Sequence, residues 1–147
     1  MLGSLHILLA EDDDQYSFII GLALKMAGVE NPVQRVSSRD QVIDYVDGAG
    51  RYADRVSYPL PAAIILALRL PLQDDFKALR WVRQRPEFNN IYIVVLSGME
   101  YDGERGIAQA LGADCYKVKP LDFRGLVHIA EHIRERWLKP DEQQAAA

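Results

Sequence analysis

Ala62-Ala63-Ile64-Ile65-Leu66-Ala67-Leu68-Arg69-Leu70-Pro71 is an apolar run that stops at a proline-marked loop. A short segment of nearly uninterrupted apolar residues reads as a strand covered on both faces, the usual condition in a parallel sheet. Its last residues would reach the carboxyl edge of that sheet, where open α/β sheets bind their ligands. At that edge the segment supplies Ala67, whose methyl group is neither nucleophile nor metal ligand.

Outward from this run the same reading repeats. Residues 5–10 and 91–96 are also nearly all apolar, whereas 32–36 and 114–118 mix polar with apolar residues, as edge strands do. Stretches of helical period lie between them. Phe18, Ile19, Leu22 and Met26 fall on one face, and Ser38-Arg39-Asp40-Gln41 has the form of a capping box ahead of Val42, Ile43 and Val46. Phe76, Leu79 and Val82 make a third stripe, and Ile107, Ala110 and Leu111 a short fourth that ends at Gly112. Phe123, Leu126, Val127, Ala130, Ile133 and Trp137 make a long fifth.

Alternating strands and helices predict a doubly wound α/β fold, a five-stranded parallel sheet with five helices. Right-handed crossovers and three buried central strands select the order 2-1-3-4-5, with the ends of strands 1 and 3 at the switch point. Residues 47–61, with Gly48, Gly50 and Pro59, read as an irregular surface loop. One domain is expected over residues 1–139, with 140–147 as a disordered polar tail.

Bulk composition agrees and removes several function classes. The 147 residues suit one domain, and 49% hydrophobic with 26% charged residues is the balance of a globular protein. No apolar run is long enough to span a bilayer, and the start lacks the pattern of a signal peptide. The single cysteine, Cys115, suits a reducing cytoplasm and reads as a buried small hydrophobe. A net charge of −4 argues against non-specific nucleic-acid binding. His128 and His132 lie four apart on a helix, but solvated or packing roles are expected of them. Arg80, Arg83, Arg85, Arg134, Arg136 and Lys139 read as solvated faces.

Chemistry concentrates after the strands. Glu11-Asp12-Asp13-Asp14 follows the first strand. Part of it serves as a helix cap, where acids suit the macrodipole; adjacent carboxylates at a switch point also suit Mg²⁺. Both readings stand. Ser97-Gly98 after the fourth strand is a turn or a hydroxyl for a phosphoryl oxygen, and Lys119-Pro120 after the fifth brings an ammonium to the acids.

Together these blocks resemble the response-regulator receiver domain of two-component signalling. The residues that carry the resemblance are 7–13, 65–71 with Asp74, 94–97 and 112–120, and it runs from about Leu5 to Leu138. It implies a flavodoxin-like receiver fold, in the stand-alone form without an output domain. Glu11 and Asp12 would be the Mg²⁺ pair, Ser97 the switch hydroxyl, Lys119 the phosphate-contacting lysine, and Tyr116 the aromatic whose rotamer follows activation. A histidine kinase or phosphotransfer protein would be the upstream partner. The face made by the fourth helix, fifth strand and fifth helix would take a downstream protein or a second copy of the chain. No enzymatic activity is expected, and neither nucleic acid nor membrane is an expected partner.

Two positions depart from the family pattern. Ala67 stands where the family has its phosphoacceptor aspartate, and Asp75 where it usually has glycine after Asp74. Alanine removes both the nucleophile and a metal ligand, so phosphotransfer at position 67 is excluded and Mg²⁺ would bind weakly and not be required. Arg69, two residues past Ala67, is a candidate substitute for the cation's charge. A natural pseudo-receiver and an Asp-to-Ala variant of an ordinary receiver both fit. The enzyme alternative is a haloacid-dehalogenase-like phosphohydrolase, using Asp12 and Asp14, though the later acidic pair of such enzymes is missing. An FMN carrier shares the strand order, but four carboxylates in its first loop would repel phosphate.

Overall fold

The first strand, β1 (Ile7–Ala10), is buried along its whole length and has a strand on each side. Alternation divides it: Leu8 and Ala10 point into one apolar layer, Ile7 and Leu9 into the other. β1 pairs in parallel with β2 (Val33–Val36) and with β3 (Ala63–Leu66). β4 (Tyr92–Ser97) and β5 (Cys115–Val118) complete a five-stranded sheet in the order β2-β1-β3-β4-β5. The computed structural model describes residues 5–67, 73–98 and 103–137, and the side chains of 73–75 are not among those described.

Helices cover both faces. α1 (Asp14–Met26) and α5 (Phe123–Trp137) pack on one side, where Ile20, Ala23 and Leu24 meet Leu126, Ala130, Ile133 and Trp137. α2 (Arg39–Asp47), α3 (Gln73–Arg83) and α4 (Glu104–Ala110) pack on the other, through Val42, Tyr45, Val46, Ala78, Leu79, Val82 and Ala108. Each fully buried Leu, Ile or Val in these layers stabilises the fold by roughly 1.5–3 kcal/mol. The doubly wound fold and strand order expected from the sequence are those observed.

Several local expectations need correction. Most of the stripe assigned to α1 faces water: Phe18 and Met26 are 67% and 69% exposed and Leu22 is exposed too, whereas Ile19 is half-buried against the core and Ile20, Ala23 and Leu24 are buried. A run as apolar as Phe18-Ile19-Ile20 offers two stripes, and packing against α5 selects the one with the small Ala23. In α4 the buried residues are Glu104 and Ala108, and Ile107 is exposed. The segment after α2 is not irregular throughout. It contains a 3₁₀ turn at Gly50–Ala53, and Tyr52 and Tyr58 pack on Tyr45 with ring centroids 4.9 and 6.0 Å away. Arg55 pins that segment by donating to the carbonyls of Tyr45 and Val46 at 2.8 and 2.7 Å.

Arg83 and Arg85 are not solvated charges. Arg83 donates to the carbonyls of Gly112 (2.9 Å) and Ile91 (2.8 Å) and pairs with Asp114 at 2.9 Å. Gly112 has φ +105°, and a Cβ there would meet Arg83 Cγ at 2.9 Å, so glycine is required twice over. Arg85 stacks on Trp81 with 3.7 Å between guanidinium carbon and ring centroid.

Candidate functional site at the carboxyl edge of the sheet

The site forms where β1, β3, β4 and β5 end side by side. Parallel pairing puts Ala10 beside Leu66, Leu66 beside Val95, and Ser97 beside Val118. The residues that follow or end these strands, Glu11, Ala67, Ser97 and Lys119, therefore share one edge. Of these, Glu11, Ala67 and Ser97 are each 0% exposed.

The acidic run resolves into separate jobs. Asp13 is the N-cap of α1; its Oδ1 accepts from the backbone N–H groups of Gln15 (2.9 Å) and Tyr16 (3.2 Å). Asp14 opens the helix and pairs with Arg35 at 2.6 Å. Glu11 turns inward, with Oε1 accepting from the Asp13 N–H at 3.0 Å and Oε2 accepting from Lys119 Nζ at 3.1 Å. Asp12 is exposed at the rim.

Lys119 crosses the site rather than reaching into solvent. Its Nζ donates to Glu11 and, at 2.9 Å, to the carbonyl oxygen of Ala67, and lies 4.7 Å over the Tyr16 ring. Its own backbone N–H donates to the Ser97 carbonyl at 2.6 Å, continuing the β4–β5 ladder by one residue. Burial pushes the Glu11 carboxyl above its ordinary 4.5, and the Asp13 N–H and the Lys119 ammonium offset part of that rise. Glu11 is fully buried and 12% of the Lys119 side chain is exposed, so the ion pair is largely shielded from water. Breaking it would leave an uncompensated charge.

Ser97 and Tyr116 form the second half. The Ser97 hydroxyl donates to Glu104 Oε1 at 3.0 Å, fastening the start of α4 to the end of β4. Glu104 is 4% exposed. Tyr116 is buried on β5, with the Arg105 guanidinium 4.7 Å from its ring centroid and donating to its carbonyl at 3.1 Å. A carboxylate seven residues past Ser97 reads in sequence only as a first-turn acid suited to the helix dipole. Its burial against Ser97 had no sequence signal.

Arg35 was also missed. Its Nε donates to the Glu11 carbonyl at 2.9 Å while its Nη1 holds Asp14. With Asp12, Ser37, Gln41 and Arg51 it lines a cleft of about 290 Å³ beside the acidic loop. Only the pairing of Leu9 with Arg35 across β1 and β2 brings it there. Arg69, the cation expected from the sequence, lies outside the described residues, as do Tyr101 and Lys139. Asp74 and Asp75 lie in the first turn of α3.

Among the described residues, the oxygen donors next to Glu11 already have partners. Both Glu11 oxygens are engaged, the Ala67 carbonyl accepts from Lys119, and position 67 offers no carboxylate. Among the described residues, no group of three or more His, Cys, Asp or Glu is placed to hold a metal. Nor is any helix among them long and apolar enough to cross a membrane.

No family model matches the chain. Individual proteins do. Response regulator Rcp1 of Synechocystis is 25% identical over 133 residues, covering 90% of this chain and 88% of that protein. A solved Mn²⁺-bound form of response regulator Rcp1 superposes with a TM-score of 0.78, at 25% identity over 91% of this chain and 94% of the other. The phosphorylated cyanobacterial phytochrome response regulator RcpA gives 0.80 at 28% identity, over 92% of this chain and 94% of that one. The bacteriophytochrome response regulator RtBRR is 30% identical over 87% of this chain and 77% of its own, with a TM-score of 0.72. The chain belongs to the response-regulator receiver family, and the phosphohydrolase reading is not favoured.

Proposed function

We propose that this chain is a two-component receiver that signals through protein–protein contacts and takes no phosphoryl group at position 67. The observation that carries the proposal is the buried methyl of Ala67 at the end of β3, with Lys119 bonded to its carbonyl and to Glu11. Transfer from a phosphohistidine needs a carboxylate oxygen as nucleophile and a cation to offset the developing charge. A methyl group supplies neither the attacking oxygen nor a metal ligand.

The remaining site supports a metal-independent resting state. Lys119 inside the pocket and Arg35 beside it offset the carboxylates of Glu11 and Asp14. Asp12 stays at the rim, and Mg²⁺ there is weak and not required. The Ser97 hydroxyl donates to Glu104 and the Tyr116 ring is buried, which supports a resting arrangement of both switch positions.

The unit that signals spans residues 1–139 and works in the cytoplasm without an enzymatic activity of its own. Its upstream partner is a histidine kinase or phosphotransfer protein. Relatives named for phytochromes and bacteriophytochromes favour a photoreceptor kinase of that kind. The downstream protein, or a second copy of this chain, sits on the face of α4, β5 and α5.

Intact-protein mass spectrometry after incubation with acetyl phosphate and Mg²⁺ tests the proposal. The expected spectrum shows no phosphoryl adduct on this chain and an adduct on Ala67→Asp. An acid-labile adduct on the unaltered chain would overturn the reading.

A further inference from the structure

A cleft of about 460 Å³ opens between α4, β5 and α5. Its lining includes Arg105 from α4, Lys117 from β5 and Arg136 from α5, with His132 among them. Asp114 is the one acid in that lining among the described residues, and its carboxylate is already held by Arg83 at 2.9 Å and by the Ile93 N–H at 2.8 Å. Three arginine or lysine charges therefore converge on a cleft whose own acid is neutralised, in a chain of net charge −4.

The cations are distributed across the strand. Tyr116 faces the layer of α4, whereas Cys115 faces the layer of α5. Alternation puts Lys117 with Cys115 on the α5 side, near Arg136, and leaves Arg105 on the α4 side. The edge strand thus has positive charge on both flanks. A lysine on an edge strand guards against strand addition, but that role needs one charge, not three from three elements. Burial first, then the charges of Lys117 and Arg136, hold the His132 imidazole below its usual 6.5, with Glu135 opposing them.

We propose that this cleft is the docking site for an extended acidic peptide segment of the downstream protein. The proposal deepens the reading of the α4–β5–α5 face given above by naming the chemistry of its partner. Recognition rests on side-chain cations and not on added strand pairing, because Arg105 already takes the Tyr116 carbonyl. Arginine suits this task, since its planar guanidinium meets a carboxylate with two parallel hydrogen bonds. Charge complementarity of this kind governs encounter rate and choice of partner.

Fluorescence anisotropy of a labelled oligoglutamate peptide with the full chain at low ionic strength tests it, with oligolysine and duplex DNA as comparison probes. Saturable oligoglutamate binding is expected, weakening as salt is raised. The double variant Lys117→Glu, Arg136→Glu should weaken it about tenfold, equivalent to ~1.4 kcal/mol. Arg105→Gln should weaken it by a smaller factor, and circular dichroism confirms that both variants keep the fold. Absence of binding, binding unchanged by the double variant, or stronger binding of duplex DNA would overturn the proposal. A phosphoryl adduct on the unaltered chain would sink the earlier reading while leaving this result untouched, so the two fail separately.

Discussion

Ala67→Asp would place a carboxylate in a fully buried position beside Lys119, the one adjacent ammonium among the described residues, which is shared already. Lys119 Nζ lies 3.1 Å from Glu11 Oε2 and 2.9 Å from the Ala67 carbonyl. With an effective dielectric near 20, two carboxylates about 5 Å apart repel by about 3 kcal/mol, and one lysine cannot offset both. Desolvation of the new charge costs several kcal/mol more, and part of it is relieved when the side chain turns toward Lys119. The net expectation is a loss of about 2 kcal/mol in the presence of EDTA, or roughly 4–8 °C in melting temperature for a domain of this length. The loss should grow as pH rises from about 4 to 7, because the added carboxyl ionises over that range. Mg²⁺ should reverse it, since the variant regains a third oxygen ligand; saturation at about 100 times Kd returns about 2.7 kcal/mol. Thermal denaturation followed by circular dichroism, with EDTA and with Mg²⁺, measures both arms. A melting temperature unchanged or raised in EDTA would refute the electrostatic reasoning.

Lys119→Met should cost about 3 kcal/mol at neutral pH by stranding the Glu11 carboxylate. Urea titrations should show a smaller cost in acid, where Glu11 is protonated; a pH-independent cost would mean the loss is one of packing. The raised pKa of Glu11 has its own consequence in the unaltered chain, because the native state holds that proton more tightly than the unfolded chain. Its contribution to stability is therefore largest below 4.5 and is lost as pH rises through the raised native value, a trend that Glu11→Gln should abolish. Arg83→Ala removes donors from Gly112, Ile91 and Asp114 and should cost about 2–3 kcal/mol by urea unfolding. An effect within about 0.5 kcal/mol would return Arg83 to the class of ordinary surface charges. His132 is held below 6.5, so the unfolded chain binds its proton more readily and stability should fall as pH drops through that value. His132→Gln should remove that component, and an NMR titration of the imidazole above 6.5 would contradict it.

The sheet was legible in sequence because buried parallel strands need apolar residues on both faces, and residues 7–10, 63–66 and 92–96 supply them with little interruption. Boundaries moved by a residue: Ser97 is the last residue of β4 rather than the first of a turn. Helix faces were harder. Phe18, Leu22 and Met26 share helical spacing with the residues that are truly buried, and only the fit against α5 decides which stripe turns inward. Glu11, Ala67, Ser97 and Lys119 were identifiable because they follow or end successive strands, and the topology brings such positions together. Arg35 and Glu104 were not. One reaches the site through strand register, the other through a turn that places a helix start over Ser97, and neither relation leaves a local pattern.

Amide chemical shifts of the chain with beryllofluoride and Mg²⁺ test the central claim most directly, because this phosphoryl mimic needs a carboxylate to hold it. The account predicts no shifts at Ser97, Glu104, Tyr116 or Lys119 in the unaltered chain, and shifts along β4, α4 and β5 in Ala67→Asp. Saturable shifts at those residues with Ala67 in place would contradict it.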